Sequence, residues 1–241
     1  MSNDPAFRAQ LHAAMDMSDA GNWSNALKEF DRLVAAYPNE PQVRFERAMV
    51  LLNLNRDADA IAELEQVIKL APEYPGAKNW YARAQAGQGR FLLAAEVSLQ
   101  GLQAFAPEHW AGGGQAWADC ADSFLKAGAP DRALAALDIY FERYEEKQRG
   151  KWMYSPAPFR LRARTLLLLH RPHEALAAAE RAVADPRTVP ADAFIRLRAL
   201  AAVGEAGQAL AELRRLKPEF ERTDGYREAV AELRRLGLTV D

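Results

Sequence analysis

The chain has 241 residues, of which 49% are hydrophobic and 27% are charged, so it is too apolar for a disordered protein. No run approaches the roughly 20 consecutive apolar residues of a membrane span, and the net charge of −2 argues against a nucleic-acid-binding protein. Cys120 is the only cysteine, which excludes an intramolecular disulfide, and residues 1–5 lack the pattern of a secretory signal. We therefore expect a cytoplasmic protein without a membrane segment.

The predicted elements are amphipathic helices along the whole chain. Asn3 or Asp4 before Pro5 is typical of a helix start, because either side chain can cap the helix and proline fits its first position. The first apolar run, Ala26, Leu27, Phe30, Leu33 and Val34, has helical spacing, and no alternating strand pattern is present. At the other end, Thr223-Asp224 predicts the start of a last helix, which Gly237 ends.

One alanine recurs at a nearly constant interval. Equivalent alanines lie 34, 34, 39, 42 and 34 residues apart, at Ala26, Ala60, Ala94, Ala133, Ala175 and Ala209. Five residues before each one is a residue that tolerates a left-handed backbone: Gly21, Asn55, Gly89, Gly128, His170 and Gly204. Twelve residues before each one, the side chain is small in five of six cases: Ala14, Ala48, Ala82, Ala121, Ala163 and Leu197.

Prolines follow most of these units and are expected to end their helices: Pro38, Pro72, Pro107, Pro186 and Pro218. Together these columns resemble the tetratricopeptide repeat, whose period is 34 residues. The resemblance implies an all-α solenoid, a right-handed superhelix of helix-turn-helix units, forming a single domain over residues 1–241. The predicted units span 7–40, 41–74, 75–108, 114–147, 156–189 and 190–218, and a capping helix spans 219–238.

Two insertions interrupt the period, near residues 106–114 and 145–158. They contain the large aromatic residues Trp110, Trp152 and Tyr154. Insertions in repeat proteins form loops that often lie on the binding face, so these aromatics are candidate contacts to a partner. The alternative is that they cover the hydrophobic core.

In the tetratricopeptide-repeat family, the first helix of each unit lines a concave groove that binds peptides or helices. Projected onto this chain, the resemblance implies two groove columns, in which the predicted partner-binding residues are Leu11, Met15, Phe45, Met49, Asn79, Arg83, Asp122, Arg160, Arg164, Phe194 and Arg198. The columns are apolar at the N-terminal end and rich in arginine towards the C-terminal end. We therefore expect a partner segment with an apolar part and an acidic part. The alternative is that the arginines pair with Asp119 and Asp122.

No phosphate-binding loop, dinucleotide fingerprint or metalloprotease motif is present, and one cysteine with four scattered histidines does not suggest a metal site. We therefore expect neither cofactor nor metal, and a scaffold or adaptor protein in place of an enzyme. A dedicated inhibitor, immunity protein or secretion chaperone for one partner protein is the alternative. The 24 arginines against 7 lysines and the abundant alanine suggest a bacterial protein from a GC-rich genome.

Overall fold

A computed structural model describes residues 4–109, 113–152 and 154–240. Within these residues, every regular element is an α-helix. The predicted all-α fold class is therefore confirmed. The chain divides into two compact units, Met1–Ala106 and Pro107–Asp241, which we call the N-terminal and C-terminal units. We predicted that the whole chain forms one superhelical domain. This depends on how the two units are arranged, so it stays a prediction.

The N-terminal unit consists of three helix pairs, and the two helices of each pair contact one another. The pairs are α1 (Pro5–Asp19) with α2 (Trp23–Ala36), α3 (Pro41–Asn53) with α4 (Asp57–Leu70), and α5 (Ala77–Gly87) with α6 (Phe91–Gln103). Asp4 caps α1 by accepting a hydrogen bond from the Ala6 amide at 2.9 Å. The second and third pairs lie within residues 41–74 and 75–108 of the predicted units, whereas α1 begins two residues before the predicted unit 7–40.

The C-terminal unit continues the same pattern and adds two further helices. Its elements are α7 (Gly114–Lys126), α8 (Pro130–Arg143), the short α9 (Glu145–Gln148), α10 (Ala157–Leu168), α11 (Pro172–Val183), α12 (Pro190–Ala202), α13 (Ala206–Phe220) and α14 (Asp224–Arg235). The short helix α9 lies in the second insertion. Helix α14 follows the last pair and contacts both α12 and α13.

All six predicted turn residues adopt a left-handed backbone. Their φ angles are between 56° and 90°, at Gly21, Asn55, Gly89, Gly128, His170 and Gly204. This conformation reverses the chain between the two helices of a pair. Four of the six positions use glycine because a Cβ atom makes this conformation unfavourable.

His170 carries that conformational cost at φ 56°, because it has a Cβ atom where four equivalent turns have glycine. We expect His170→Gly to increase the free energy of unfolding by about 1 kcal/mol. The reciprocal change at an equivalent turn, Gly128→His, should lower it by a similar amount. Urea denaturation followed by circular dichroism measures both, and a loss of stability in His170→Gly would contradict the argument.

The recurring alanines are buried. All six anchor alanines are at most 1% exposed, and the preceding small column, including Leu197, is at most 4% exposed. Ser98 and Ala179 are also buried at positions where other units have Phe30 or a leucine. The repeated columns therefore form the core of both units.

One of the five prolines that were expected to end a helix does not do so. Pro218 lies inside α13, which continues to Phe220. Proline in the last turn removes only one backbone donor, and the Glu221 amide still donates to the Lys217 carbonyl at 3.1 Å. The final helix, α14, begins after Thr223, whose hydroxyl caps it by accepting a hydrogen bond from the Tyr226 amide at 3.3 Å. It buries Tyr226, Ala229 and Leu233.

Candidate functional site

In the N-terminal unit, the predicted groove residues of α1 and α3 form a partly exposed apolar surface. Met15, Phe45 and Met49 are half-buried, and Met15 and Phe45 pack against the core below them. The Phe45 ring lies 5.1 Å from that of Tyr74, measured between centroids. Leu11 differs, because it is only 4% exposed and belongs to the core. Its burial corrects the expectation that it faces a partner.

Helix α5 contributes the polar end of the predicted column in this unit. The Arg83 side chain is exposed, and its guanidinium lies 5.0 Å from the centre of the Trp80 ring. A guanidinium over an indole face is held in place while its N–H groups remain available for an acceptor. Asn79, one turn earlier on the same helix, is half-buried.

Two carboxylates outside the predicted groove columns, those of Asp19 and Glu46, lie beside the apolar surface. Glu46 is half-buried on α3, and burial, followed by the negative charge of Asp19, raises the pKa of its side chain. Burial and the charge of Glu46 also raise the pKa of the Tyr74 hydroxyl to about 12. The signal in the sequence was an acidic residue directly after Phe45, in the more acidic half of the chain.

In the C-terminal unit, Arg160 is held by a structural ion pair. Its guanidinium donates to the Asp192 carboxylate at 2.6 Å, and the Asp192 side chain is completely buried. The same carboxylate accepts hydrogen bonds from the Val189 amide at 2.7 Å and the Thr188 hydroxyl at 3.2 Å, and so caps α12. The Arg160 guanidinium is thus paired within the chain, and its contact with a partner stays a prediction.

The predicted alternative of internal charge pairing applies to Arg164. Its guanidinium donates to the Asp122 carboxylate at 2.9 Å. Asp122 also pairs with Lys126 at 2.8 Å, whereas Asp119 accepts a hydrogen bond from Gln115. About half of the Arg164 side chain remains exposed, so some of its guanidinium N–H groups remain accessible.

Phe194 and Arg198, one turn apart on α12, differ in their surroundings. Phe194 is 9% exposed, and its ring lies within 6.4 Å of those of Phe220 and Tyr226. It is therefore a core residue, contrary to the expectation that it faces a partner. Arg198 is half-buried, and its Nε atom is enclosed without a hydrogen-bond acceptor among the described residues. Arg198 thus provides a partly desolvated cation with an unused donor.

The aromatic residues of the insertions have different environments. Tyr154 is 8% exposed and packs with Phe159, and Arg187 donates to its carbonyl at 2.9 Å while lying over its ring. Tyr154 therefore covers the core, as the alternative interpretation expected. Trp152, by contrast, is 78% exposed. Trp110 lies outside the described residues.

Other chemistry is limited in the part of the chain that the structure describes. There, no three His, Cys, Asp or Glu side chains come together in a group that could hold a metal ion. No described helix is both long enough and apolar enough to cross a bilayer. Cys120 is buried in α7 as a small apolar side chain.

The sequence matches the tetratricopeptide repeat family model in two overlapping segments, residues 11–75 and 58–109. No curated protein sequence is significantly similar to the chain. Solved structures with a similar fold include pilF of Pseudomonas aeruginosa (15% identity, 94% of this chain and 97% of that chain, TM-score 0.71). PilW, a widely conserved type IV pilus biogenesis factor, is similar to the same extent (16% identity, 94% and 99%, TM-score 0.71).

YrrB, a tetratricopeptide-repeat protein with an unusual peptide-binding site, is 14% identical, over 84% of this chain and 97% of that chain, with a TM-score of 0.62. At these identities the likeness concerns the fold alone. The family model matches the N-terminal unit, and the same helix pairs with left-handed turns continue through the C-terminal unit. The chain is therefore a helical repeat protein whose N-terminal unit matches the tetratricopeptide repeat family model.

Proposed function

We propose that this chain is a non-enzymatic scaffold or adaptor that binds a partner protein or peptide through the first helices of its repeats. The tetratricopeptide-repeat fold supports a protein–protein interaction scaffold. In this chain, the first helices carry partly exposed residues that the core does not enclose, among them Met15, Met49, Arg83 and Arg198. We further propose that the protein is bacterial and cytoplasmic, and that it binds neither nucleic acid nor a membrane.

The observation that carries the proposal is the state of Arg198. Placing an N–H donor out of contact with water without an acceptor costs about 1–3 kcal/mol. A carboxylate supplied by a partner would pair with the guanidinium through its other nitrogens, in a site where a charged hydrogen bond is stronger than on an open surface. We therefore propose that the C-terminal unit binds an acidic group of the partner at Arg198.

We expect Arg198→Met to weaken the binding of that partner by about 30-fold or more, because methionine keeps the apolar stem and removes the fork. The partner would first be identified by mass spectrometry after gentle purification of the tagged full chain. Its Kd would then be measured by isothermal titration calorimetry. Arg214→Met on α13 is the matched control, since Arg214 is an exposed arginine on the second helix of the same pair. An unchanged Kd for Arg198→Met would contradict the role of Arg198.

A second candidate function rests on Trp152. A large, exposed aromatic side chain on an insertion is typical of the anchor residues of protein interfaces. It favours a dedicated inhibitor, immunity protein or secretion chaperone with one tightly bound partner. One stoichiometric partner that stays bound at high salt would support this candidate. Several partners that dissociate as the salt concentration rises would support the adaptor.

A further inference from the structure

The N-terminal unit has a surface in which apolar and acidic side chains alternate on two neighbouring helices. We call it the α1–α3 surface and define it by Met15 and Asp19 on α1 and by Phe45, Glu46 and Met49 on α3. On α1 the two residues are four positions apart, and on α3 Glu46 and Met49 are three apart, so each carboxylate lies beside a methionine on the same helix face. Glu46 and Asp19 also interact electrostatically across the two helices.

The arginines closest to Glu46 along α3 are directed elsewhere. Arg44 donates to the Glu63 carboxylate at 2.8 Å. Arg47 donates to Glu63 and to Asp31, each at 2.8 Å. Within the described residues, Glu46 and Asp19 form neither a hydrogen bond nor an ion pair. The unit therefore uses its nearby cations to join α2, α3 and α4, and it leaves the carboxylates of the α1–α3 surface without a counter-charge.

This arrangement is electrostatically unfavourable in the free protein. Glu46 is partly removed from water, and a second negative charge lies close to it, which is why its pKa is raised. The surrounding Met15, Phe45 and Met49 present partly exposed apolar area, and the two methionines adapt readily to different side chains. A positively charged side chain that arrives together with apolar neighbours would complement both features at once.

We propose that the α1–α3 surface binds a peptide segment of a partner protein in which a lysine or arginine is flanked by apolar residues. The cation is received between Asp19 and Glu46, and the apolar neighbours pack on Met15, Phe45 and Met49. This inference rests on the proposed scaffold function and adds the chemistry of the segment that the N-terminal unit selects. It is separate from the acidic group proposed for Arg198 in the C-terminal unit.

The test is a selection of random 12-residue peptides displayed on phage, with the full chain as the target. Three forms are compared: the wild type, the double variant Asp19→Asn with Glu46→Gln, and a control double variant, Asp16→Asn with Glu73→Gln. The control removes two exposed carboxylates from the same unit, so it separates local recognition from net charge. Circular dichroism verifies that all three are folded, as the isosteric changes should ensure.

We expect the wild type and the control to enrich peptides with a lysine or arginine between apolar residues, and the Asp19/Glu46 variant to lose that preference. Replacing the basic residue of the best peptide by norleucine should weaken its binding to the wild type at least about tenfold and have little effect on the Asp19/Glu46 variant. Enriched peptides without a basic residue, or an unchanged preference in the Asp19/Glu46 variant, would overturn the inference but leave the scaffold proposal standing. If the wild type enriches no peptide, the inference is overturned, whereas the scaffold proposal is overturned only if the purified full chain also captures no partner.

Discussion

Replacing Asp192 by alanine is expected to lower the free energy of unfolding by about 3–5 kcal/mol. The carboxylate is completely buried and accepts hydrogen bonds from three donors, Arg160, Thr188 and the Val189 amide. Without it, the half-buried guanidinium of Arg160 loses its counter-charge and the first turn of α12 loses its cap. Asp192→Asn, which keeps an acceptor for the Val189 amide but removes the charge, should cost less.

Urea denaturation followed by circular dichroism provides the measurement for Asp192. The control is Asp59→Ala, which removes an exposed ion pair with Arg56 at the start of α4. Exposed pairs of this kind contribute about 0–1 kcal/mol. If Asp192→Ala costs no more than Asp59→Ala, then the buried carboxylate does not organise α12 as described.

A comparable loss, about 3–5 kcal/mol, is expected for Trp117→Ala in α7. The Trp117 side chain is fully buried, and its ring lies 4.9 Å from that of Tyr144 and 6.2 Å from that of Tyr140, measured between centroids. Removing the indole would leave a cavity between α7 and α8, since the surrounding rings are too large to collapse into it.

Trp117→Phe should behave very differently. The indole Nε1 atom is buried without a hydrogen-bond acceptor among the described residues, so phenylalanine removes an unsatisfied donor together with some volume. The two effects oppose one another, and we expect a loss below about 1.5 kcal/mol. Both variants can be compared by thermal and urea unfolding. Equal losses for the two would show that the indole donor is satisfied or that the cavity is not the dominant effect.

The repeat could be predicted from the sequence because its determinants are local. A left-handed turn residue five positions before a buried alanine is a requirement of each helix pair alone, so even Asn55 and His170 were assigned correctly. The bounds of the last helix were harder to predict. Pro218 indicated a helix end, but a single missing donor in the last turn did not stop α13.

The candidate site could be predicted only in part, because column positions do not show which side chains later elements cover. Phe194 lies in the same column as Phe45, yet α14 encloses it: a Cβ atom on Gly225 would lie 3.0 Å from its ring. Arg160 is in the same column again, and its role depends on Asp192, 32 residues away. Glu46 was missed because it lies in neither column, one residue after Phe45 and three before Met49.

Helix α14 also has a consequence for the length of the array. Each repeat presents its exposed apolar edge to the next one, so an array of this kind can in principle be extended by another pair. Here Tyr226 and Leu233 occupy the edge formed by Phe194, Leu213 and Leu216, and the outward side of α14 carries charged residues such as Arg227 and Arg235. The contact that stabilises the pair of α12 and α13 thus also covers the apolar edge on which another pair would pack.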